Sequence, residues 1–255
     1  MGHHKYRLFM VDLDGTLIGK DSLVSARVAT AIYKIAKRLK VSIATGREAA
    51  DVKLFAGQLE LKNPQISENG ALVVDPVTGR QLKSWPMGPE STRHILSGLR
   101  EMDLEYMATR PNGTLAEPKS TTGVVLARIS ALDLEEARAD LVVNYFRTRI
   151  DINSVKVFLP YNNKWAVDFT RSGVNKATAT EWIASSLGLG LDAIVAAGDS
   201  YNDLPLLRSA ALAIVMGDAP SELKAVADYI APSVCEDGLA VAIEEFLIPR
   251  LDDLR

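Results

Sequence analysis

Short apolar runs alternate with segments of helical period at both ends of this 255-residue chain, and that alternation leaves few folds open. The run 6–11 ends on Asp12 and predicts a buried strand, and 40–44, 65–67, 191–197 and 211–215 read the same way. Between them, 24–39 carries Val24, Val28, Ile32, Ile35 and Leu39 at helical spacing, with Lys and Arg near its end, where the helix dipole favours cations. Segments 48–59, 203–209, 221–227 and 239–246 predict further helices, and 71–75 opens a hairpin turned at 76–79. Alternation of this kind predicts an α/β fold: a doubly wound parallel sheet with helices on both faces.

The middle of the chain breaks the pattern. It reads as helix (90–102), strand (105–109), strand (123–129), helix (134–148), strand (154–159) and strand (164–170), an αββ unit met twice. Such an order predicts an antiparallel sheet covered on one side. The expected organisation is therefore a core domain from 1–81 and 170–255, with an α+β cap inserted at 82–169. One continuous mixed sheet is the alternative.

Apolar residues make up 47% of the chain and charged residues 24%, with a formal charge of −3, so no basic footprint for a nucleic acid or an anionic membrane is present. No apolar run approaches the roughly 20 residues that span a bilayer. With no apolar leader and with Cys235 as the single cysteine, a cytoplasmic protein without a disulfide or cysteine-based zinc site is expected. His3 and His4 at the chain start are set aside, which leaves His94 as the one other histidine. Any chemistry must then run on carboxylates, hydroxyls and lysine.

Two loops concentrate those groups. Asp12-Leu13-Asp14-Gly15-Thr16-Leu17 follows the first strand, and its two acids, two residues apart, project to one side of an extended chain before Gly15 turns it. Gly198-Asp199-Ser200-Tyr201-Asn202-Asp203 follows the 191–197 strand in the same way. The carboxyl edge of a parallel sheet is where ligands bind. Each loop also has a plainer explanation, a turn in the first and a helix cap in the second. Four acids near one point would repel without a cation, and a hard divalent ion with oxygen ligands answers that need. Thr45-Gly46-Arg47 offers a hydroxyl and backbone N–H groups suited to phosphate, or a simple helix cap. Lys176 lies just after the proposed insertion and just before a helix.

Asp12–Leu17, Thr45–Arg47, Lys176 and Gly198–Asp203 together resemble the four motifs of the haloacid dehalogenase-like hydrolase superfamily, in the right order. The resemblance extends over nearly the whole chain and implies a Rossmann-like core. Ser67-Glu68-Asn69-Gly70-Ala71 and the insertion before Lys176 are similar to the branch with a class IIB cap, among sugar-phosphate and archaeal-type phosphoglycolate phosphatases. By that resemblance Asp12 attacks phosphorus and becomes an aspartyl-phosphate. Asp14 protonates the leaving oxygen and later deprotonates a water, and crowding by neighbouring acids favours its protonated form. Asp12, the Asp14 carbonyl and Asp199 would hold Mg²⁺. Thr45, the Gly46 amide, Lys176 and Asn202 would grip phosphate, Asp203 would orient Lys176 or a metal-bound water, and Arg47 could reach the leaving group. Cap residues such as Arg110, Asn112, Thr121 and Thr122 could do so too. The expected activity is Mg²⁺-dependent hydrolysis of a small phosphorylated metabolite by a monomer or homodimer. A phosphomutase and a non-catalytic phospho-ligand binder are the alternatives.

Overall fold

The structure is a computed structural model that describes residues 5–116, 124–159 and 161–253. The first strand, β1 (Leu8–Val11), is buried throughout and leads to helix α1 (Ala26–Ala36), whose N-cap Ser25 accepts a hydrogen bond from the Val28 N–H. Next come β2 (Lys40–Ile43), α2 (Ala49–Gln58), β3 (Gln65–Ser67), β4 (Leu72–Val74) and β5 (Gln81–Ser84). The middle holds α3 (Pro89–Glu101), β6 (Tyr106–Thr109), β7 (Arg128–Leu134), α4 (Glu136–Phe146), β8 (Ile152–Leu159) and β9 (Lys164–Arg171). The chain returns through α5 (Lys176–Ser186), β10 (Ile194–Gly198), α6 (Leu204–Ser209), β11 (Leu212–Val215), α7 (Ser221–Lys224) and β12 (Tyr229–Ile230), then ends in helical segments spanning 238–253.

The central sheet is parallel, in the order β12-β11-β10-β1-β2. Alternate strand residues face opposite sides: Phe9, Val11, Val195 and Ala197 join α1 and the C-terminal helices in one core, while Leu8, Met10, Ile194 and Ala196 join α5 and α6 in another. This is the doubly wound α/β architecture that the strand–helix alternation predicts. The chain leaves β1 toward β2 on one side and later returns to β10 on the other, so a topological switch point lies between β1 and β10, where ligand clefts open.

A second, antiparallel sheet runs β6-β7-β9-β8, with α3 and α4 on one face. Ile129, Ala131, Val167 and Phe169 point into that helical layer. Their alternates, including Ser130, Leu132, Ala166 and Asp168, point away from it, toward the carboxyl edge of the parallel sheet. The strand expected at 123–129 is displaced: β7 begins at Arg128 and runs to Leu134. The apolar run through Leu126 reads as strand, but Leu126 only bridges Met87. Asp133, at φ 58°, interrupts the ladder with a register shift that hides the real strand's alternation. The expected strand at 191–197 opens instead with a 3₁₀ turn, Leu191–Ala193.

Strand β3 does not join the main sheet but forms a small antiparallel sheet with β4 and β5. The division expected between 81 and 82 falls inside β5, and that between 169 and 170 inside β9. A tight turn at Glu68, Asn69 and Gly70, all with positive φ, follows β3 and packs on the start of α5. A Cβ at Gly70 would lie 2.1 Å from the Asn175 carbonyl oxygen, against backbone that cannot yield. Gly70→Ala should therefore destabilise by at least about 1–2 kcal/mol, from the left-handed φ alone. Gly57, in the last turn of α2 with open space around it, should gain up to about 0.5 kcal/mol as Gly57→Ala. Thermal unfolding of the two variants should shift in opposite directions.

Candidate active site

Strand β1 delivers Asp12 and strand β10 delivers Asp199, side by side in the parallel register Val11↔Ala197, with the Asp12 N–H donating to the Ala197 carbonyl at 2.9 Å. Gly15, at φ 83°, permits their approach, since a Cβ there would lie 2.2 Å from Asp199 Oδ2. Oxygens of Asp12, Asp199 and Asp203 all lie within 4.8 Å of one another. The Lys176 ammonium at the first turn of α5, with no exposed surface, donates to Asp12 Oδ1 and, at 2.6 Å, to Asp203 Oδ1. The other Asp203 oxygen accepts the Asp199 and Ser200 N–H groups, each at 3.1 Å.

The electrostatics of this cluster are unbalanced. Burial, reinforced by Asp203, pushes the Asp12 carboxyl up to about 7, against the opposing pull of Lys176. Burial and Asp12 raise Asp199 well above the carboxylate range. For Lys176, burial works to lower the ammonium's pKa, but Asp12 and Asp203 outweigh it and the net shift is upward. Three acids thus share one lysine. A divalent cation fits that deficit and that oxygen-only donor set. Asp12 and Asp199 offer it carboxylate oxygens, while both Asp203 oxygens already accept hydrogen bonds.

Asp14 stands apart from the crowd. Its two oxygens accept a paired hydrogen bond from Arg47, at 2.8 Å from Nε and 2.6 Å from Nη2. Arg47, read as able to touch a leaving group, pairs here with Asp14. Thr45 is buried and its hydroxyl accepts the Arg47 N–H at 3.0 Å. Helix α2 begins only at Ala49, behind Glu48 in the cap position, so Gly46 lies in the preceding turn rather than at the helix start. Asn202 donates to Asn69 Oδ1 at 2.8 Å, and Asn69 Oδ1 also lies 3.1 Å from where a Gly46 Cβ would stand.

A cavity of about 480 Å³ opens above these groups, lined below by Asp12, Asp14, Thr45, Gly46, Arg47 and Asn202 and above by the free face of the antiparallel sheet. A buried polar network joins floor to roof. Arg128 of β7 donates to Glu68 at 2.5 Å and to Asp168 of β9 at 3.0 Å, and Asp168 also accepts from Asn69 and Ser130. Sequence reading missed Arg128, Ser130 and Asp168. A signal was available: Arg128 sits between Ala127 and Ile129, and Asp168 between Val167 and Phe169, and a charge within an apolar strand needs a partner. Arg110 and Asn112 hydrogen-bond within their own loop, and Thr121 and Thr122 lie outside the described residues.

The model of the family described as haloacid dehalogenase-like hydrolase matches residues 9–136 and 125–243. The chain belongs to this family. It is 27% identical over 251 residues to the 5-amino-6-(5-phospho-D-ribitylamino)uracil phosphatase YcsE of Bacillus subtilis, covering 95% of this chain and 96% of that one. Similarity to a phosphoglycolate phosphatase of Methanopyrus kandleri is 26% over 241 residues, covering 94% and 97%. The fold matches that of a subclass IIB sugar phosphatase with a TM-score of 0.80 at 20% identity, covering 95% of this chain and 99% of the other.

The buried network makes Arg128→Met a severe substitution, because Glu68 and Asp168 would lose the one cation that neutralises both. The expected loss is about 3–5 kcal/mol. Arg27→Met, which breaks the exposed pair with Glu244, should cost less than about 1 kcal/mol. Urea denaturation of the two variants measures the difference.

Proposed function

We propose that this family member is a phosphatase that hydrolyses a small phosphomonoester through an aspartyl-phosphate on Asp12. The observation that carries the proposal is the buried contact of Asp12 with Lys176, beside Asp199, on the floor of the cavity beneath the antiparallel sheet. A carboxylate can attack a phosphate dianion only where positive charge offsets both, and Lys176 with a bound cation supplies it. Curated relatives that carry phosphatase names support the same chemistry.

In this mechanism an Asp12 oxygen attacks phosphorus in line and the bond to the leaving oxygen breaks. Asp14 gives that oxygen its proton. A water, deprotonated by Asp14, then attacks the phosphorus of the acyl phosphate, releasing inorganic phosphate and restoring Asp12. Proton transfer from Asp14 needs Arg47 to loosen its hold, and Asp51, 3.6 Å from Arg47 Nη1, offers the guanidinium a second partner. Thr45, the Gly46 N–H, Lys176 and Asn202 hold the phosphoryl oxygens as charge moves. The Asn202 side-chain oxygen is buried without a protein partner, which marks that amide as poised for a ligand-side contact or a flip. Mg²⁺, held by Asp12, Asp199 and the Asp14 carbonyl, would neutralise phosphoryl charge. Asp203 keeps Lys176 and the 199–200 backbone in place. The antiparallel sheet, as a cap, keeps bulk water from the intermediate.

A phosphomutase would return the phosphoryl group to substrate rather than to water, and a pure binder would have no use for the Asp12–Asp14 pair. No helix among the described residues is long and apolar enough to cross a membrane.

Asp12→Asn should lower phosphate release by about 10⁴-fold or more while the thermal transition survives. Persistent turnover would remove the covalent route. Dialysis against a chelator should silence the wild-type chain, with Mg²⁺ restoring it; indifference to chelator would remove the metal.

A further inference from the structure

The roof of the cavity is divided. Nearest the core, Arg128, Ser130 and Asp168 are hydrogen-bonded to one another and to Glu68 and Asn69. Farther out, the same sheet face presents Met107, Leu132, Val157 and Leu159, all partly exposed and all lining the cavity. Leu132 continues the alternation of Ser130, one residue after the inward Ala131, and the irregularity at Asp133 then returns Leu134 to the helical layer.

Charge follows the same division. Among the described residues that line the cavity, the cations are Arg47 and Arg128. Each already lies between two acids, Arg47 between Asp14 and Asp51, Arg128 between Glu68 and Asp168. Glu48 and Asp51 add negative charge at the cavity wall. Above the phosphate position, the surface that meets a leaving group is thus mainly apolar, with the hydroxyls of Ser22 and Tyr161 and an acidic margin at its edge. A second anion there would have to compete with these acids for Arg47 or Arg128, or lie beside carboxylates with no cation of its own.

We infer that the leaving group is an uncharged or cationic alcohol with an apolar face, seated on Met107, Leu132, Val157 and Leu159, and that esters bearing a second anionic group are discriminated against. The inference rests on the phosphatase reading above and adds the chemical class of the substrate. Discrimination of this kind arises because removing apolar contact, or stranding an unpaired charge, weakens transition-state binding selectively.

The test measures kcat/KM for phosphate release, with Mg²⁺, from four alkyl phosphates: benzyl phosphate, glucose 6-phosphate, phosphoglycolate and fructose 1,6-bisphosphate. Benzyl phosphate should exceed the carboxylate and bisphosphate esters by about tenfold or more. Faster turnover of either charged ester, or of glucose 6-phosphate, would overturn the inference and leave the phosphatase reading standing. Release from none of the four would overturn both. Leu132→Lys then adds a cation to the roof and should move the ratio of phosphoglycolate to benzyl phosphate turnover toward the acid by about tenfold. Val157→Lys does the same from a neighbouring strand if the first variant does not fold. An unchanged ratio in a folded variant would sink the assignment of this surface.

Discussion

The Lys176 ammonium, with no exposed surface and gripped by Asp12 and Asp203, is the interaction around which the rest of the molecule is arranged. A buried ammonium needs close acids, and three acids within a few ångströms stay ionised together only with cations beside them. Each half of the cluster therefore requires the other. Its parts come from β1, from the loop after β10 and from the first turn of α5, so the parallel register of β1 with β10 is a condition of the chemistry. The glycine at Gly15 is part of the same condition, because any side chain there would occupy the space of the Asp199 carboxylate.

Above this cluster, the antiparallel sheet is tied to the core by charge as well as by packing. Arg128 crosses from the cap to Glu68, and Asp168 crosses to Asn69, which in turn holds Asn202. The turn at 68–70, left-handed at three successive residues, is thus held from above by the cap and from below by α5. Trp165 of β9 also lies near Tyr201 of the acidic loop, with ring centroids 6.4 Å apart. One continuous polar path therefore runs from the roof of the cavity to the amide proposed to grip phosphate.

Much of this was legible in the residues. The alternation of apolar runs with helical segments predicts the doubly wound sheet, and the repeated αββ order predicts an antiparallel sheet covered on one side; both are present. The two acidic loops stand at strand ends because a buried strand must stop where carboxylates begin. What misled was local. Leu126 lies in an apolar run that is not a strand, and the positive φ of Asp133 scrambled the alternation of the strand that is. The pairing of Arg47 with Asp14 was not legible either, since no spacing rule brings residues 33 positions apart into a paired hydrogen bond.

The sequence by itself determined the element types, the order of the two sheets' strands along the chain and the chemical groups available, because periodicity and residue type are properties of short stretches. Only the tertiary structure decided which acids are crowded and which is paired, that Glu68 meets Arg128 and Asn69 meets Asp168, and that an apolar roof with an acidic margin covers the site. Those facts depend on contacts between distant segments, whose energies are set by burial and by the charge of whatever the fold brings alongside.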